Sequence, residues 1–456
     1  MKRLFILSLI FGGFAVSCGV SAAQAEHPDI LLFFEAARSD PAVAEAALDE
    51  IAATWRDGYT PFIINMARMI APSSPIRQRL IGFLETQTGQ RFGQDLVRWG
   101  SWMWNLPADL HPNYGLFKGL IYGQIDPRMR EFFPPGVRAD IRLDEVEWGG
   151  VVVNGIPPLD HPVHVSAGEA DYLEDSNVVF GISVNGEARA YPKRIFAWHE
   201  MALDTIGSLE LTIIYCTLCG TVLPYESEVG SELRRFGTSG LLYRSNKLFF
   251  DETTMSLWST LEGKPVIGPL AGSDLSLRLR SSVTTTWGEW KRRHPDTHVL
   301  SIDTGYQRNY DEDVAYKDYF ATDSLMFQVP RLDGRLKNKD EVLVMRFDSE
   351  EGKRIPIAIA AEFLRVNPIF PFEVAGRSFV AITSPEGANR VYAVEGVRFE
   401  PKGDSRDIVD VSGRRWILEE DSLVAEDASG VELARFAANR AFWFGWYAQF
   451  PDTELI

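Results

Sequence analysis

Cysteine is scarce in this sequence, with three residues at positions 18, 216 and 219 of 456. A secreted disulfide framework needs several spaced pairs, so burial and not cross-linking must hold this fold. Positive charge is also short, 46 Lys and Arg against 63 Asp and Glu, for a formal net charge of −17. No basic cluster with interleaved aromatics occurs, which argues against nucleic acid as a partner and leaves the acidity as a solubilising surface. Beyond the N-terminus no apolar run reaches the ~20 residues needed to cross a bilayer. A G-x-S-x-G elbow, an HExxH pair, a P-loop and a dinucleotide fingerprint are all missing. A serine hydrolase, a zincin and a nucleotide cofactor are therefore not indicated.

What is present starts with "MKRLFILSLIFGGFAVSCGVSAAQA", in which Lys2 and Arg3 precede an apolar stretch and Ala23-Gln24-Ala25 supplies small-residue cleavage chemistry. Residues 1–25 are expected to be a signal peptide of an exported, periplasmic chain. The rival reading takes Ala15 to Cys18 as a lipoprotein box with Cys18 acylated. Either way, Cys216 and Cys219 are the one pair of cysteines left to the mature protein, as metal ligands, a redox pair or a disulfide.

The texture then divides the chain. Residues 26–130 read as an all-α domain of short amphipathic helices. One is capped by Asp40-Pro41 and runs toward Gly58; another lies between Ser74-Pro75 and Gly89. Its tryptophans, Trp99, Trp102 and Trp104, sit at helical spacing and are expected in the core. After "FFPPGVRAD" the pattern becomes that of a β-rich α+β region. "NVVFGISVNGEARAYP" alternates around Asn185-Gly186, a strong type I′ hairpin signal. "KRIFAWHEMALDTIG" reads as a short helix ending at Gly207.

An internal repeat follows. "WGEWKRRHPDT" at 287–297 matches "WFGWYAQFPDT" at 443–453 in its two tryptophans and its Pro-Asp-Thr. The surrounding patterns give two diverged copies, 145–320 and 330–456. At the level of Cys216 and Cys219 the second copy has Ser384 and Gly387, and at the level of His199 an apolar residue near Phe363. Polar, metal-competent groups are thus confined to the first copy.

Chemistry centres on "LTIIYCTLCGTVLPYE". A thioredoxin-type CxxC opens a helix whose N-terminus activates the first thiol. Here Gly220 follows at once and an extended pattern resumes, the form of a metal knuckle. One knuckle supplies two ligands, so His199 is the expected third, with Glu200 and Asp204 as candidate catalytic or assisting groups on the same helix. Cys216, Cys219 and His199 with an open position suit zinc or copper. The competing reading makes His199 a buried histidine bonded to a carbonyl. His161 and His164 are expected in an exposed loop, and His294 and His298 at the surface. Ser239, Asn246, Asp251 and Ser256 either rim a pocket facing the CxxC or simply form Asx and hydroxyl turns.

"GISVNGEARAYP", "WHE…D", "YCTLCGT", "GTSGLLYRSN", "DETTMSLWS" and "W…W…HPDTHVLS" together resemble the bacterial domain-of-unknown-function family DUF3179. The resemblance covers about Gly149 to Tyr319, with a weaker echo to the C-terminus. It implies a knuckle at Tyr215 to Gly220 after a His-Glu helix, His199-Glu200, and it brings no established activity. Thr217 stands where the family has proline, and Leu203 where it has an asparagine before Asp204.

Three functions are compatible with these residues: a transition-metal protein, a thiol–disulfide protein using Cys216 and Cys219, or a non-catalytic binding module whose partner is a small molecule or a protein.

Overall fold

The computed structural model describes residues 27–348, 354–401, 407–427 and 429–456. The expected signal segment and Cys18 lie outside them. The chain forms two compact units, one through Val146 and one from Glu147.

The first unit is helical, and its caps are the ones the sequence carries. Asp40 accepts from the Ala42 amide to open helix Pro41–Ala53, and Ser74 accepts from Ile76 to open helix Pro75–Thr88, which Gly89 ends at φ 71°. The first of these helices stops at Ala53 instead of running to Gly58, because Asp57–Tyr59 forms a separate 3-10 turn. Trp99 and Trp104 are buried. The rings of Phe33 and Phe62 stack at 4.0 Å in the middle of the unit.

The second unit is β-rich α+β. One sheet has the strand order 283–286, 178–184, 187–192, 298–300, 164–166; another has 439–442, 341–348, 354–360, 454–455. The first three strands in each are antiparallel neighbours, and the fourth pairs parallel to the third. That parallel strand follows helix Trp287–Arg293 in one sheet and helix Trp443–Gln449 in the other, so the two Trp-x-x-Trp segments occupy the same place in the topology. The hairpin between strands 178–184 and 187–192 turns through Asn185 and Gly186, both at positive φ, 52° and 82°. A second pattern also recurs: antiparallel strands 201–206, 209–216 and 221–226 match 369–374, 377–383 and 389–393.

Two expectations need correction. "KRIFAWHEMALDTIG" is not one helix. It ends at His199, where Glu200 takes a left-handed conformation (φ 56°), and Met201–Ile206 is a strand paired with 209–216. Glu200 and Asp204 therefore do not share a helix face. The residue at the level of His199 is Asn367, not an apolar one near Phe363. The amide of Tyr215 donates to Glu200 O at 2.9 Å, and the amide of Thr383 donates to Pro368 O at 2.8 Å, which fixes the register.

Candidate functional site

The strand Leu209–Cys216 is, from Leu211 on, a run of β-branched and apolar residues buried on both faces, and Cys216 is its last residue, paired with Thr221. Thr217–Cys219 make one 3-10 turn, and Gly220 reverses the chain at φ 61°. A Cβ at Gly220 would stand 2.9 Å from the Phe442 ring, so the turn requires glycine on two grounds. Both thiols are free and each cysteine is only 1 % exposed.

Four other elements close around them. The left-handed Glu200 points its carboxylate at the turn, where Oε1 accepts from Thr217 Oγ1 at 2.8 Å and from the Tyr316 hydroxyl at 2.7 Å. The Lys247 ammonium, from the fully buried strand Asn246–Asp251, pairs with Glu200 Oε2. Before that strand, Arg244 and Ser245 form a two-residue hairpin turn at φ 50° and 64° without a glycine. This turn delivers Ser245 O to the Cys219 thiol, 3.4 Å away. Finally, Tyr319 donates to Leu218 O at 2.7 Å, and Tyr316 holds φ 57°, a conformation rare for a bulky side chain. Gly445 completes the wall, since a Cβ there would fall 3.2 Å from Cys219 Sγ.

The two sulfurs are electrostatically unequal. Burial pushes the Cys216 thiol up, but a hydrogen bond from Cys219, the Lys247 amide and the Lys247 ammonium outweigh it and bring Cys216 below the ordinary 9.0. Burial and then the neighbouring Cys216 sulfur drive Cys219 well above the same value. Burial, reinforced by Glu200, also raises the Tyr316 phenol far out of reach of ionisation. The centre is therefore a buried pair of free thiols whose surroundings favour ionisation of Cys216 over Cys219.

His199 is fully buried. Its Nδ1 lies 3.0 Å from Pro157 O and its Nε2 2.6 Å from the Tyr310 hydroxyl, so both nitrogens are engaged away from the thiols. Burial lowers its imidazole below 6.5, against the Pro157 carbonyl, and keeps it neutral. Among the described residues, no three His, Cys, Asp or Glu side chains are grouped to hold a metal ion. Asp204 belongs to another cluster. Its carboxylate accepts from Arg189 Nη1 at 2.9 Å and from the Tyr191 hydroxyl at 2.5 Å, and it lies 3.2 Å from His164 Nε2. His164 is thus partly buried, its side chain 7 % exposed, in strand His164–Ser166, correcting the exposed loop expected for it, while His161 is exposed and bonds Asp160 at 2.9 Å. His298 is exposed, but His294 is partly covered, its ring centre 4.2 Å from that of Trp290.

Of the four pocket candidates, Asn246 reaches the centre, donating to Gly445 O at 3.0 Å behind Cys219. Ser239 donates across its own hairpin to Leu248 O. Asp251 accepts from the Thr254 amide at 2.7 Å, and Ser256 Oγ lies 2.8 Å from Thr254 Oγ1, which is the Asx-turn arrangement. Sequence reasoning missed Lys247, Tyr316 and Tyr319. A single lysine inside "SNKLFFD" was the available signal for the first.

A comparison with family models matches residues 153–453 to one described as a protein of unknown function, DUF3179. No curated protein matches the chain, and no solved structure does. No helix among the described residues is long and apolar enough to cross a membrane.

Proposed function

The chain belongs to the DUF3179 family of proteins of unknown function, and we propose that it is a thiol–disulfide protein working through Cys216 and Cys219. The observation that carries this reading is two free thiols held in one buried turn, with the Glu200 carboxylate bonded to Thr217 of that turn and paired to the Lys247 ammonium. In this reading the Cys216 thiolate attacks one sulfur of a substrate disulfide, forming a mixed disulfide and expelling the other sulfur as a thiolate. Cys219 then gives up its proton and attacks Cys216 Sγ. The mixed disulfide breaks, the second substrate thiolate leaves, and the Cys216–Cys219 bond forms. Two electrons pass from the dithiol to the substrate. Glu200 orients the turn through Thr217 and holds Lys247 in place.

A zinc or copper ion on Cys216, Cys219 and His199 would require His199 Nε2 to leave the Tyr310 hydroxyl, and among the described residues no three such side chains are grouped to hold it. The matching sheet topologies support two diverged copies, of which only the first kept the thiols; Ser384 in the second is committed to Glu289, 2.7 Å away. Export through residues 1–25 would place the dithiol where an oxidised partner pool exists.

The test is a trapping experiment on reduced protein with oxidised glutathione. A Cys219→Ser variant should accumulate a single glutathione adduct on Cys216, whereas the wild type should pass on to the internal disulfide. No adduct on Cys216 under conditions that modify the unfolded chain would refute the proposal.

A further inference from the structure

Both cysteines are buried, so a substrate disulfide needs a way in. Much of what covers them comes from one stretch of chain. Tyr319 and Val329 pack with Cys216, Leu218 and Cys219 in a single apolar cluster, and Leu325 and Phe327 lie against it. Residues 301–340, all of them described, hold one regular element, helix Lys317–Phe320, between a strand that ends at Leu300 and one that begins at Glu341. Connections of this length are uncommon in a compact fold, and lids are among the functions they serve.

The ties that hold this stretch down fall into two groups. Over the sulfurs, Tyr316 donates to Glu200 Oε1 at 2.7 Å and Tyr319 to Leu218 O at 2.7 Å. Beyond the sulfurs stands Lys339. The Phe444 amide donates to Asn338 O at 3.0 Å and the Trp443 amide to Asp340 O at 2.9 Å, which fixes Lys339 to helix Trp443–Gln449. From there the Lys339 amide donates to Asp323 Oδ1 at 3.0 Å, and its ammonium donates to Tyr319 O and to Thr322 O, the latter at 2.6 Å. The same cation lies 3.4 Å from the centre of the Tyr319 ring. At the other end, Asp313 and Tyr316 take left-handed φ angles of 56° and 57° without being glycine. Such conformations persist where the surroundings enforce them. The stretch is pinned at one end and strained at the other.

We propose that residues 313–329 form a strap that lifts off the dithiol to admit a substrate disulfide, with Lys339 as the latch that sets how often it opens. The proposal rests on the thiol–disulfide reading above. An opening of this kind breaks a few side-chain ties and leaves the sheets intact, so it occurs far more often than global unfolding. Letting go of Lys339 loosens Tyr319 from Leu218 O, and the strained backbone at Tyr316 is then free to relax.

Hydrogen exchange of the reduced mature protein, read by mass spectrometry beside the alkylation rate of its two cysteines, tests the strap. Alkylation of the wild type should depend only weakly on urea, because a local opening exposes little surface. Lys339→Met and Asp323→Ala should each raise alkylation of both cysteines and exchange in 316–329 together, by fivefold or more, about what one hydrogen bond is worth. Alkylation that follows the urea dependence of global unfolding would overturn the proposal, as would unchanged alkylation and exchange in folded Lys339→Met. Glutathione trapping keeps the two claims apart. A strap that opens but yields no adduct on Cys216 refutes the thiol–disulfide reading, whereas an adduct that forms no faster in Lys339→Met refutes the strap.

Discussion

Lys247 and Glu200 form an ion pair beneath the Cys216–Cys219 turn, with side chains only 9 % and 5 % exposed. A buried pair of this kind is weak evidence for net stability, because desolvation offsets its attraction, yet removing one partner strands the other. Lys247→Met should therefore destabilise the protein by about 3–5 kcal/mol. The double variant Lys247→Met/Glu200→Gln should recover much of that loss. Thiol reactivity separates role from stability: both variants should alkylate Cys216 more slowly near neutral pH, with the profile moved to higher pH. Denaturant melts and mapped alkylation rates check the two halves.

Tyr319 and Tyr316 cover the turn from the segment before the second sheet, through Leu218 O and Glu200 Oε1. Tyr319→Ala should speed alkylation of the native dithiol by tenfold or more, because reagent access to buried thiols depends on local opening. A rate equal to that of the wild type would mean that the tyrosine does not gate access.

Gly220→Ala should cost about 2 kcal/mol or more. About half comes from the left-handed backbone and the rest from the Phe442 ring 2.9 Å from the new Cβ. Gly89, also left-handed at φ 71° but with open space around it, should tolerate alanine at only the first of these costs. Comparing the two variants by urea denaturation isolates the packing contribution.

A separate buried network gives a pH dependence. Arg390 is fully buried and bonds Glu420 at 2.6 Å, with Arg435 3.4 Å from the same carboxylate. Burial alone would raise Glu420, but Arg390 and its neighbours hold it well below the ordinary 4.5. A carboxylate depressed on folding contributes stability that is complete above its unfolded value and lost as pH falls toward its folded one. Glu420→Gln should thus be less stable than wild type by about 3–5 kcal/mol at neutral pH. The gap should narrow as pH drops below about 4.5, as followed by thermal melts across pH.

Much of the frame was legible because local signals and tertiary needs agreed. Asn185-Gly186 asks for two positive φ angles and has them, and Cys-x-x-Cys-Gly reads as a turn between strands and is one. The helix misread at "FAWHEMALDTI" shows where local signals fail: its apolar residues satisfy both a helical and an alternating spacing. The break rests on Glu200 adopting a left-handed conformation that glycine usually supplies. Lys247 was illegible for a different reason. Its significance comes from a hairpin that brings it under Cys216, and a lysine in a strand is ordinarily a solvent-facing residue. His199 looked like a ligand because sequence proximity to the thiols cannot reveal that Tyr310, far along the chain, takes its Nε2.

The most direct measurement of the central claim is a redox equilibrium. The mature protein is held in glutathione buffers of graded poise, quenched with alkylating reagent, and its free thiols counted by mass spectrometry alongside metal content by elemental analysis. The account predicts one reversible two-electron transition, dithiol to disulfide between Cys216 and Cys219, absent in Cys216→Ser. Thiols that stay reduced at every poise, or that are held by a stoichiometric metal ion, would contradict it.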